Sequence, residues 1–102
     1  MRGEGVAAAE LRATPDTLRR QADVARAAGR AQLADNLLRA AELAPLPDET
    51  ILAIYTALRP RRSTAAELEA LAEQLDGRDA PGTAAFVREA AQVYGERGLL
   101  AG

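Results

Sequence analysis

Cysteine, histidine, lysine and tryptophan are all absent from this 102-residue chain, and each absence removes a class of function. Without cysteine there are no disulfides and no thiolate metal sites, and the redox compartment is left open. Without histidine, the usual general base beside a serine nucleophile and the commonest metal ligand are both missing. Without lysine, all 13 positive charges are arginine, set against 15 acids for a formal net charge of −2. That balance argues against a general nucleic-acid binder, which needs a basic face to neutralise phosphates. Aromatics are down to one phenylalanine and two tyrosines. The apolar runs are only a few residues long, too short to span a bilayer. Met1-Arg2-Gly3 is not followed by a signal-peptide core, because Glu4 and Glu10 interrupt it. The simplest reading is a cytoplasmic protein.

What is abundant is alanine, then leucine. Alanine has the best helix propensity, and valine, isoleucine and aromatics are scarce, so an all-α chain of about five short helices in a small antiparallel bundle is expected. At this length it makes one domain at most, burying about two-thirds of its unfolded surface. Residues 1–13 read as a flexible N-terminal segment, with a helical turn or two over Val6 to Arg12. Residues 14–98 read as the helical domain and 99–102 as a tail.

Thr14-Pro15-Asp16 opens the first helix with a cap, a proline at the first helical position and an acid at the positive end. It runs to about Ala28 with Leu18, Ala22 and Ala25 on one face, and Gly29 ends it. The second helix starts near Arg30 and carries Leu33, Leu37, Ala40, Ala41 and Leu43 until Pro45 and Pro47. The short connection makes the two an antiparallel hairpin. After Pro47-Asp48-Glu49 the third helix repeats Ile51, Ile54, Tyr55 and Leu58 at i, i+3, i+4 and i+7, the cleanest apolar stripe in the chain, which places Tyr55 in the core. Pro60 ends it. Ser63 or Thr64 caps the fourth helix, and Thr64 with Glu67 has capping-box spacing. Its buried face is Leu68, Leu71, Ala72 and Leu75, closed by Gly77. Asp79-Ala80-Pro81 starts the fifth, which carries Ala85, Phe86, Val87, Ala90, Val93 and Tyr94 before Gly95 and Gly98 weaken its end. No sequence repeat of fixed period stands out.

No constellation supports catalysis. Ser63 is the only serine, has no histidine to activate it, and sits where a helix cap is wanted. Glu69 and Glu73 are i, i+4 neighbours on a solvated face, and no loop supplies further oxygens for a cation. Asp23 and Asp35 alternate with Arg26, Arg30 and Arg39, which speaks against DNA binding by the first hairpin. Catalytic, cofactor-binding and metal-ligating residues are therefore assigned to none. The sharpest local feature is Arg59, Arg61 and Arg62 around Pro60. They either complement the dipole at the end of the third helix or present a planar donor array to carboxylates on another chain.

At this hinge the sequence turns specific. I-L-A-I-Y-T-A-L-R-P-R-R-S-T at 51–64 closely resembles the small (gamma) subunit of adenosylcobalamin-dependent diol and glycerol dehydratases. T-P-D-T-L-R-R-Q-A at 14–22, A-G-R at 28–30 and R-A-A-E-L at 39–43 resemble that family's first helical hairpin, and A-A-F-V-R-E-A-A-Q-V-Y-G-E-R at 84–97 resembles its last helix. The resemblance runs in the same order over about residues 11–98. It implies a non-catalytic part of a lyase that converts a 1,2-diol or glycerol to an aldehyde and water. The large and medium subunits would be its partners. Adenosylcobalamin would be held by the complex and not by this chain, and enclosure in a bacterial microcompartment is left open. Neither nucleic acid nor membrane is expected as a partner.

The subunit-interface candidates are Tyr55, Arg59, Arg61, Arg62, Arg88 and Tyr94. The chain departs from the family pattern at Arg61, where relatives carry an aromatic residue, and over the polar link 76–82. It also lacks the longer segment that precedes the region matching residues 3–14 in that family, which leaves a trimmed chain, a misassigned start or a diverged subunit as alternatives. A free-standing helical adaptor or regulator diverged from that subunit is the competing reading.

Overall fold

The computed structural model describes residues 14–102, so the N-terminal segment expected at 1–13 lies outside the described residues. Five α-helices and no strands are found among the described residues: α1 Pro15–Ala27, α2 Ala31–Leu43, α3 Asp48–Ala57, α4 Ala65–Gly77 and α5 Pro81–Arg97. The described residues divide into two compact units, the first ending at Ala44 and the second Pro45–Gly102.

In the first unit α1 packs on α2. Thr14 caps α1, its hydroxyl accepting the Thr17 N–H at 3.1 Å, and Pro15 fills the first turn. At the far end Gly29 takes the left-handed conformation (φ 80°). Arg30 N–H then reaches Ala25 O and Gly29 N–H reaches Arg26 O, which satisfies carbonyls that the helix end would otherwise leave open. The chain reverses within three residues, and the two helices meet through Ala22, Ala25 and Ala34, with Leu33, Leu37 and Leu38 packed against them. Small side chains let helices approach closely, but each buried methyl contributes only about 0.8 kcal/mol. This is a thin core. Of the two neighbouring alanines expected inside, Ala41 is buried and Ala40 is exposed.

The second unit holds the larger core side chains. Leu68, Leu75 and Val87 are fully buried where α4 packs on α5, each contributing about 1.5–3 kcal/mol of transfer free energy. A complete capping box starts α4: Thr64 Oγ1 accepts Glu67 N–H at 3.1 Å and Glu67 Oε1 accepts Thr64 N–H at 2.8 Å. Gly77 does not supply the left-handed turn. Asp79 does (φ 63°), two residues later, with Ala80 N–H bonded to Leu75 O and Asp79 N–H to Asp76 O. On α5 the inward face is Thr83, Ala84 and Val87, which leaves Phe86 and Val93 exposed instead of buried. Of the apolar residues expected along this helix, Val87 alone is fully buried.

The two hairpins share one plan. Adding 50 to a residue number carries the cap Thr14 to Thr64, the buried Ala22 to Ala72, Ala25 to Leu75 and Ala34 to Ala84, and the left-handed Gly29 to Asp79. Both first helices have 13 residues and both turns three. No repeat stands out in the sequence because what the hairpins share is caps and small core residues, while their surface charges differ.

Candidate functional site

Helix α3 is where the sequence expectation and the structure part. It is rich in isoleucine, leucine and alanine, yet of its ten residues only Ile54 is buried. Ile51 and Leu58 are half-buried. Tyr55, placed in the core by its spacing, is 63% exposed, and Leu52 is 65% exposed. The stripe is real, but its edge faces solvent. The physical reason is that the long hairpin α4–α5 covers its own core, so a ten-residue helix set between Pro47 and Pro60 finds room to bury one side chain only.

The end of α3 is held by three contacts. Tyr94 Oη donates to Leu58 O at 2.5 Å, which ties α5 to the last turn. Ser63 Oγ donates to Ala57 O at 2.8 Å and is itself buried. The lone serine therefore closes α3 and does not cap α4. The segment after α5 completes the set. Gly98 turns left-handed (φ 68°), after which Leu99 O accepts Arg61 N–H at 2.7 Å and Ala101 N–H donates to Ser63 O at 2.8 Å. The residues expected as a tail thus lie along the hinge as a strap. Sequence reasoning had no handle on this, because main-chain pairing leaves no side-chain signature.

On that support stand Arg59, Arg61 and Arg62, all exposed. Among the described residues none of the three side chains has an ion pair or a hydrogen bond. Arg61 sits at φ 64°, a left-handed conformation that costs a residue with a Cβ roughly 1–2 kcal/mol. Arg62 lines an open groove of about 560 Å³ with Glu49, Leu52, Thr56, Glu67 and Leu71.

The other two candidates are engaged inside the unit. Arg88 bridges α5 to α4, its guanidinium 3.0 Å from Glu69 Oε2 and 2.9 Å from Asp76 Oδ2. The hydrogen bonds from Arg88 hold the Glu69 carboxyl below its ordinary range, and those to Glu69 and then Asp76 raise Arg88 further above its own. Tyr94 carries the Leu58 bond. The structure therefore gathers Tyr55, Arg59, Arg61 and Arg62 on α3 and the hinge, puts Tyr94 beneath them, and keeps Arg88 in the α4–α5 seam.

Such a face, apolar and aromatic on one side and basic on the other, has the composition of a protein–protein contact. The family model described as dehydratase small subunit matches residues 1–101. This chain belongs to the dehydratase small-subunit family. It is 56% identical over 98 residues to the propanediol dehydratase small subunits of Citrobacter freundii and Salmonella typhimurium, covering 95% of this chain and 57% of each relative. The chain thus spans little more than half the length of the curated relatives it matches. Among the described residues no helix is long and apolar enough to cross a membrane, and no group of three or more acidic side chains is placed to hold a metal ion.

Proposed function

We propose that this chain is the non-catalytic small subunit of an adenosylcobalamin-dependent diol or glycerol dehydratase and that it attaches to the large subunit through the outer face of α3 and the hinge behind it. The whole complex would convert a 1,2-diol or glycerol to an aldehyde and water, in the cytoplasm or inside a microcompartment, with the medium subunit as a further partner. Family membership supports the assignment. The observation that carries the interface is the exposed pair Leu52 and Tyr55 just ahead of three arginines that have no partner among the described residues. Tyrosine and arginine are the residues that anchor interfaces, and guanidinium groups match carboxylates in a planar, two-point fashion. Tyr94 bonds the end of α3, and Arg88 joins α5 to α4.

The groove beside α3 does not suit a corrin ring. It lies open, whereas cofactor sites bury most of their ligand. No chemical step is assigned to this chain.

The test is co-expression with the large and medium subunits of a diol dehydratase, followed by gel filtration and an aldehyde assay. We expect wild-type chain in the complex and weaker retention of Arg59→Ala and Arg62→Ala, each by about 2 kcal/mol if its carboxylate partner is buried, while both variants stay helical in isolation. A chain that never enters the complex, with activity the same in its absence, sinks the reading and leaves the free-standing adaptor.

A further inference from the structure

The arginine hinge has a feature that the partner reading does not require. Its central residue is held in a conformation that favours glycine, and what holds it lies nearly forty residues away in sequence. Arg61 at φ 64° donates its N–H to Leu99 O at 2.7 Å, and two residues on, Ser63 O accepts Ala101 N–H at 2.8 Å. These bonds form a short main-chain ladder between hinge and strap. The strap is aimed by Gly98, whose own φ of 68° reverses the chain after α5, and by Leu100, whose side chain lies over Gly95. Tyr94 Oη on Leu58 O fixes the other edge of the same hinge. A non-glycine residue strained in this way persists only where its surroundings over-determine it, and such residues gather at functional sites.

The side chain at this point is an exposed arginine without a partner among the described residues, flanked by Arg59 and Arg62. A glycine would take up the turn without strain, so the turn itself does not explain the arginine. Three guanidinium groups clustered on a chain of net charge −2 select a partner surface that carries carboxylates.

We infer that Leu99–Ala101 is part of the partner-binding site: the strap pre-forms the left-handed hinge so that Arg59, Arg61 and Arg62 are presented together to an acidic segment of the large subunit. This rests on the proposed subunit role and adds how the site is assembled. With the strap released, Arg61 relaxes toward ordinary backbone geometry and the competent hinge becomes a minor state. The apparent dissociation constant then rises by the inverse of its population, about tenfold for a left-handed penalty in the usual range.

Ala101→Pro deletes the N–H that Ser63 O accepts, Ala101→Gly keeps it, and deletion of residues 99–102 removes both strap bonds while leaving every helix in place. Two measurements are made on the full chain: amide exchange of Arg61 in the isolated protein, and affinity for purified large subunit. We expect faster Arg61 exchange and about tenfold weaker binding for Ala101→Pro and for the deletion, with Ala101→Gly near wild type in both. Unchanged Arg61 exchange in the deletion overturns the claim that the strap holds the hinge. Faster exchange with undiminished affinity overturns the claim that the held hinge is the binding form. If wild-type chain does not bind the large subunit at all, the subunit role fails, and the exchange measurement still reports on the strap.

Discussion

At Leu58 a backbone carbonyl that closes α3 is met by the hydroxyl of Tyr94, thirty-six positions on. That single bond gives Tyr94 a role inside the chain. Tyr94 had the amphipathic ring expected of an interface anchor, but its polar end is committed to the chain itself. Tyr94→Phe removes the donor and leaves the ring, so we expect a loss of about 1 kcal/mol in urea unfolding with helical content preserved. A loss near zero would mean that water replaces the hydroxyl at Leu58 O. Ser63 shows the same limit of reading residue by residue. A serine before a helix is usually its cap, and here the next residue, Thr64, takes that role with Glu67 while Ser63 turns back to Ala57 O. Local sequence offers both residues as caps, and only the position of α3 decides between them.

The helices themselves were legible, because their starts and stops are chemical. Pro15, Pro47 and Pro81 stand at or next to helix N-termini, Thr14 and Thr64 cap, and Gly29 and Gly98 turn left-handed. What periodicity placed less well was which face of a helix is covered. Alanine is so frequent that several faces of α5 look equally apolar, and Phe86 drew the expectation away from Thr83 and Ala84. Across the α4–α5 seam runs the Glu69–Arg88–Asp76 ion cluster, which makes a pH prediction. Arg88 lowers the Glu69 pKa in the folded chain, so the stabilisation is present above the ordinary glutamate value of 4.5 and is lost as pH falls through the depressed folded value. We expect Glu69→Gln to flatten the decline in thermal stability seen on acidification below that value, with little change at neutral pH beyond the loss of a half-exposed pair. High salt should shrink the difference, since the cluster faces water. An acid limb as steep in Glu69→Gln as in wild type would remove this ion cluster as its cause.

For the whole molecule, the informative contrast is between a helix pair that satisfies itself and a helix that does not. Hairpin α4–α5 buries Leu68, Leu75 and Val87, whereas α3 keeps Leu52 and Tyr55 in solvent. Replacing both with serine should therefore cost the isolated chain little, since exposed positions usually change stability by less than about 0.5 kcal/mol. In the dehydratase complex the same double variant should be lost on gel filtration. If the isolated chain unfolds instead, these side chains support the unit in a way their exposure does not reveal. The comparison of the two hairpins adds a second expectation about cores: the fully buried side chains of the first are alanines with leucines only partly covered, whereas the second fully buries Leu68, Leu75 and Val87, so mutational sensitivity should concentrate in the second.

Composition and breakers were enough for the all-α class and the five helices found among the described residues, because propensity and caps act locally. The motifs at 14–43, 51–64 and 84–97 together pointed to the family. Three things needed the chain folded in space: that Tyr55 faces outward, that Arg88 and Tyr94 bond within their own unit, and that residues 99–101 pair with the arginine hinge. Each depends on what a distant segment covers or bonds, and a main-chain bond between Leu99 and Arg61 is written in neither residue's side chain.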